Sequence, residues 1–309
     1  MAKLDIYKGL ITERINPRTT HIDRLDTPNI LKLISQEDQK ITRAVSKEKN
    51  NIAKAVDIIV AAFKGGGRLF FVGAGTSGRL GVLEAAECPP TFHTKPSQIQ
   101  AIMAGGKKAV FKSREGAEDN AEAGASIIQK RVRAGDVVIG IAASGVTPFV
   151  LSALKTAKNL NCRTVLITCS KATPHPTLSH KGRGKKRTRF PEVTITLRVG
   201  PEVIAGSTRL KAGTATKMVL NMLTTTAMIR LGKVYGNRMV DLQIKSHKLQ
   251  ERAIRILNEL AGLNRNQALH YIKESRGHVK TAILMARKNI SYAQAQKLLR
   301  QNQGFLRSP

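Results

Sequence analysis

Apolar positions along the chain follow two rhythms. In 51–63, Ile52, Ala55, Val56, Ile59 and Val60 recur in steps of three and four, which is one face of a helix. A weaker helical pattern covers 28–48, marked by Leu31, Ile34 and Ile41. A later strand reads at 192–199, and the other rhythm is the short apolar run, at 68–72, 136–141 and 162–168. Such runs do not alternate, so they suit strands of a parallel sheet covered on both faces. Between them the spacing predicts helices over 79–86, ended before Pro89, and over 121–131, 149–160 and 213–231. Strand, small-residue loop, helix and strand in succession predict a doubly wound α/β fold. From about Leu249 onward the pattern is helical throughout, with Ala253, Ile254, Ile256, Leu257 and Leu260 on one face. A module of roughly 60 residues is marginal alone and is expected to pack on the main body or a partner subunit.

Composition narrows the classes. Hydrophobic residues make up 41% of the 309, enough for a core and against a mostly disordered chain. No apolar run reaches the roughly 18 residues of a membrane helix, so no membrane partner is expected. The N-terminus has no apolar signal core, which predicts a cytoplasmic protein. Three cysteines, Cys88, Cys162 and Cys169, make neither a disulfide framework nor a zinc cluster, and the histidines have no metal spacing with them. No metal is expected. Lys and Arg number 52 against 21 Asp and Glu, a net charge of +31 that attracts polyanions or anionic substrates. Seven of the basic residues sit in 171–190, KATPHPTLSHKGRGKKRTRF, which holds no acid and reads as a solvated insertion. No recognition-helix signature accompanies the charge, so specific nucleic-acid binding is not expected.

The candidate chemistry lies where strands pass into helices. Gly73, Gly75 and Gly78 match G-x-G-x-x-G, with Thr76 and Ser77 between them. The loop Ala143 to Thr147 repeats the device with Ser144, Gly145 and Thr147. Two hydroxyl-rich loops at parallel strand ends suit a monophosphate and a sugar rather than a dinucleotide. Candidate acids are Glu87, beside Pro89 and Pro90, and Glu115, Glu118 and Asp119 within 114–120; Glu115 and Glu118 share a face if that segment is helical. Spacing does not choose among them.

Several segments carry a resemblance. The stretches 71–92 (FVGAGTSGRLGVLEAAECPPTF), 139–148 (IGIAASGVTP), 200–217 (GPEVIAGSTRLKAGTATK) and 233–241 (KVYGNRMVD) are similar to the signatures of the N-acetylmuramic acid 6-phosphate etherase family, as are 12–17 and 21–23. The glycine loop alone is shared by all sugar-isomerase (SIS) phosphosugar domains. The resemblance implies a three-layer SIS-type α/β fold with a parallel central sheet and a small C-terminal helical domain. The expected layout is an N-terminal helical extension over 1–50, a catalytic domain over 51–240 with its insertion at 171–190, and helices over 249–309. The implied enzyme is a cofactor-free lyase of peptidoglycan recycling. It splits the D-lactyl ether of N-acetylmuramic acid 6-phosphate into N-acetylglucosamine 6-phosphate and D-lactate. A homodimer is expected.

By the family's motif, the catalytic acid falls on Glu87 and the second catalytic carboxylate on Glu118, here assigned as the base. Gly75, Thr76, Ser77, Gly78, Ser144, Gly145 and Thr147 are expected around the phosphosugar, and Ser207 and Lys211 are candidates for the substrate pocket. Val146 departs from the arginine expected in that loop. The rival readings are a non-catalytic SIS-domain sugar-phosphate sensor and a ketose–aldose isomerase of the same fold.

Overall fold

A computed structural model describes residues 9–170, 190–244 and 246–307. The basic segment foreseen at 171–190 lies outside the described residues except for Phe190. Two helices come first, α1 (Thr27–Lys47) and α2 (Lys49–Lys64). Asp26 caps α1 by accepting a hydrogen bond from the Asn29 amide, 3.2 Å away. The five strands are β1 (Leu69–Gly73), β2 (Ile99–Met103), β3 (Val137–Ile141), β4 (Arg163–Thr168) and β5 (Val193–Thr196). All pair in parallel, in the order β2-β1-β3-β4-β5. Every residue of β1 and β3 is buried, as expected for strands covered on both faces.

Helices α3 (Gly75–Phe92), α4 (Lys108–Phe111), α5 (Ala121–Arg131), α6 (Pro148–Asn159) and α7 (Lys211–Arg230) connect or follow the strands. One sheet face, Phe70, Val72, Val138 and Leu166, packs under α5 and α6 through Ile128, Phe149, Val150 and Leu154. The other face meets α2 and the start of α3, where Gly81 lies against Phe71. The crossing of α5 on α6 is close: a Cβ on Gly124 would stand 2.2 Å from the Phe149 carbonyl oxygen.

Three local expectations are corrected. β2 was not foreseen, because its Gln100 and the flanking polar residues blur a run of five. The helix after β1 does not stop before Pro89 but runs through Pro89 and Pro90 to Phe92. Prolines so near a helix end deprive only one turn of carbonyls of their donors. Glu115 and Glu118 do not share a helix face, since Gly116 at φ 73° leads into a single 3-10 turn, Ala117–Asp119.

Contacts divide the chain into two units, one of Met1–Ala85 with Ile99–Leu223 and the other of Ala86–Gln98 with Thr224–Pro309. The division falls within α3 and within α7. The second unit contains α8 (His247–Ala261), α9 (Arg265–Glu274), α10 (Val279–Lys288) and α11 (Tyr292–Gln301). Its core gathers Val240, Leu242, Ala253, Ile256, Leu257 and Ile283. Asn264 with Gln267, and Ser291 with Gln294, form capping boxes that start α9 and α11. Asp241 is held between Lys233 and Lys280 at 2.7 and 3.1 Å. Burial pushes its carboxyl up, but the two ammonium groups prevail and hold it below its ordinary range.

Candidate active site

The sheet order places the switch point between β1 and β3: after β1 the chain turns to one side for β2, then returns to the other side for β3. Ligands of open α/β sheets bind beyond the strand ends at such a point. Because Gly73 is in register with Ile141, the two following loops emerge side by side.

The first loop is tight. A Cβ on Gly73 would stand 2.7 Å from the Gly78 nitrogen, so strand end and helix start touch through backbone alone. α3 therefore opens at the sheet edge, with Thr76 and Ser77 in its first turn, where amides have no carbonyl a turn below them. The second loop is pinned from β4. Thr168 Oγ1 donates to the Ala143 carbonyl at 3.2 Å, and a Cβ on Gly145 would meet that hydroxyl at 2.9 Å. Gly145 also has φ 78°, a left-handed conformation that glycine adopts without strain. Ser144 Oγ accepts the Val146 amide at 3.3 Å, and Thr147 precedes α6 without using its hydroxyl as a cap.

These loops border a cleft of about 240 Å³. Of the predicted residues it brings together Gly75, Thr76, Ser77, Ser144, Thr147, Glu118 and the candidate acid Asp119. Gly78 and Gly145 are not in its wall; they shape the loops behind it. Ser207 is not in the wall either, although its neighbours Gly206 and Thr208 are. Glu87 is exposed on α3, in the second unit, and does not line this cleft.

Lys211 is not a wall residue. It is wholly buried and its Nζ is bound to Glu37 Oε2 and, at 2.6 Å, to the Pro201 carbonyl. Glu37 also accepts from Lys40, Arg18 and Asn16. Burial pushes the Glu37 carboxyl up, but hydrogen bonds from Lys211 and Lys40 and the Lys211 charge outweigh it and bring it to about 2. Nearby, Glu202 accepts the Lys211 and Ala212 amides at 3.0 and 2.8 Å, capping α7; burial holds its own pKa above the ordinary value. This buried cluster ties α1, 201–203 and the start of α7 together. The segment it ties leads into Gly206 and Thr208 of the cleft.

Sequence reasoning missed Thr12, Glu13 and Thr208 as cleft residues. Thr12 Oγ1 donates to Glu13 Oε1 at 3.0 Å, and the Thr12 carbonyl accepts the Gly206 amide at 3.0 Å. No periodicity marks them; the one signal was their place in the resembling segment 12–17. The cleft wall thus carries three carboxylates, Glu13, Glu118 and Asp119, and no Lys or Arg among the described residues. What this wall offers an anion is amides, hydroxyls and the α3 N-terminus, and its carboxylates are groups able to accept hydrogen bonds or move protons.

Two of the cysteines, Cys162 and Cys169, are poor nucleophiles. Burial, and then the Glu202 charge, pushes the Cys169 thiol up to about 12, and burial with the Asp136 charge pushes Cys162 up to about 11. Among the described residues no cluster of His, Cys, Asp and Glu could hold a metal, and no helix is long and apolar enough to cross a membrane.

Residues 51–158 match the family described as the glucokinase regulatory protein N-terminal SIS domain. An N-acetylmuramic acid 6-phosphate etherase of Geobacillus thermodenitrificans is 48% identical over 98% of this chain and 99% of its own. Etherases of the same name from Picosynechococcus and Gloeobacter violaceus are 46% and 50% identical, over 97% and 89% of this chain and 96% and 87% of theirs. A phosphoheptose isomerase from Neisseria gonorrhoeae superposes with a TM-score of 0.45 and 13% identity, over 64% of this chain and 98% of that one.

Proposed function

The chain belongs to the N-acetylmuramic acid 6-phosphate etherase family, and we propose that it acts by elimination and rehydration at the cleft beyond β1 and β3. It is a carbon–oxygen lyase on that phosphosugar. In the proposed course the 6-phosphate sits against the first turn of α3 and the β3–α6 loop, with Thr76, Ser77, Ser144 and Thr147 donating to its oxygens. Gly75, Gly78 and Gly145 let the backbone come close. Ring opening exposes the C1 aldehyde, which makes the C2 hydrogen an α-proton. Glu118 removes it; the electron pair forms the C2–C3 double bond, the C3–O bond breaks, and the ether oxygen takes a proton from Glu87. Water then adds its hydroxyl at C3 and a proton returns to C2. The products are N-acetylglucosamine 6-phosphate and D-lactate.

The observation that carries this reading is that Glu118 lines the same cleft as the four phosphate-loop hydroxyls. The part given to Glu87 rests on the sequence resemblance. Lys211 takes a positioning part in this scheme, through Glu37 and Glu202, and Ser207 shapes the turn between Gly206 and Thr208. No cofactor enters any step. A homodimer in the cytoplasm completes the reading, also from the resemblance. Incubating the purified protein with N-acetylmuramic acid 6-phosphate and assaying D-lactate tests the activity. Sedimentation tests the dimer.

A further inference from the structure

A second cavity, of about 120 Å³, adjoins the cleft and shares Ala74, Gly75 and Glu118 with it. Its charge is different: Arg79 and Arg114 line it. Arg79 Nε donates to the Val110 carbonyl at 2.8 Å and Nη2 to the Ala109 carbonyl at 3.0 Å, which fixes the guanidinium and leaves Nη1 unpaired among the described residues. Arg114 Nη1 donates to the Gly105 carbonyl at 3.2 Å. Glu115 and Glu118 line the same cavity, yet neither arginine forms an ion pair among the described residues. Two guanidinium groups are therefore held by neutral carbonyls beside the proposed base, with their charge unspent.

We infer that this cavity is the subsite for the carboxylate of the departing D-lactyl group, with Arg114 and Arg79 as its specificity residues. The inference rests on Glu118 acting at C2. The ether oxygen is on the adjacent C3, and the lactyl carboxylate lies two carbons beyond that oxygen. A wall next to the base meets this anion when the phosphate lies in the main cleft. Substrate and sugar product share the phosphate, and only the substrate carries the second anion. A guanidinium pairs with a carboxylate through two parallel hydrogen bonds, which a neutral analogue does not match.

The test is a comparison of two ligands in Arg114→Gln and Arg79→Gln. For N-acetylmuramic acid 6-phosphate, KM should rise by about 10- to 100-fold, the worth of a hydrogen bond to a charged group, with kcat near wild type. For N-acetylglucosamine 6-phosphate, binding by calorimetry and deuterium exchange at C2 should not change. Arg114→Lys should recover part of the lost affinity. Arg114 is exposed, so its variant keeps the test open if loss of the Arg79 bonds disturbs folding. Unchanged KM in both variants, or a matching loss with the sugar that lacks the lactyl group, overturns the subsite. Wild-type protein that releases no D-lactate overturns the proposed function and the subsite together, whereas normal release with unchanged KM in the variants overturns the subsite alone.

Discussion

Replacing Lys211 by Met leaves the Glu37 carboxylate in place without its buried partner. Both side chains have 0% exposure, and the charged partners that remain on Glu37, Arg18 and Lys40, are each 46% exposed. Removing one member of a buried pair costs about 3–5 kcal/mol, because the other charge stays desolvated. The pKa gives a consistent scale. Glu37 falls from 4.5 to about 2 on folding, which at 1.36 kcal/mol per unit is about 3 kcal/mol net, after its partners have offset the penalty of burial.

The sign follows from a lowered folded-state pKa. Stabilisation is full above 4.5 and is lost as pH falls from 4.5 towards 2. Urea unfolding of wild type and Lys211→Met should show a gap of about 3–5 kcal/mol at neutral pH. The gap should narrow through that acid window as Glu37 is protonated. Lys211→Met combined with Glu37→Gln should recover part of the loss, since no lone charge is then buried. A single variant that loses under about 1 kcal/mol, the worth of a surface pair, would refute the reasoning, as would a gap indifferent to acid.

Glu118→Gln should abolish both D-lactate release and C2 deuterium exchange, with a loss of at least about 10²–10⁴-fold read by NMR beside a lactate assay. Glu87→Gln should stop release yet retain exchange on N-acetylglucosamine 6-phosphate; the reverse pattern exchanges the two roles. Ser144→Ala should weaken phosphosugar binding by roughly 2- to 10-fold in calorimetry, the worth of one neutral hydrogen bond. Gly124→Ala should cost at least the roughly 1–3 kcal/mol of an overpacked core, seen as a lower urea midpoint, because its Cβ would meet the Phe149 carbonyl at 2.2 Å.

The parallel sheet was largely legible from the chain. Runs such as 137–141 carry no polar side chain, and burial on both faces accounts for that pattern. The amphipathic face of α8 was equally plain: Ala253, Ile254, Ile256 and Leu257 are all buried in the structure. The two strand-to-helix loops could be read because a sharp turn demands glycine, and small hydroxyl residues stand beside it. What the chain did not disclose depends on residues distant in sequence. Glu13 enters the cleft because the Thr12 carbonyl accepts the Gly206 amide, across nearly two hundred positions, and no local pattern encodes that pairing. Lys211 was a candidate for the substrate pocket, but its charge is neutralised by Glu37 of α1. Periodicity reports which side of an element is buried. It carries no information on which carboxylate will meet which ammonium, since that depends on three-dimensional distance and on the cost of desolvating each charge.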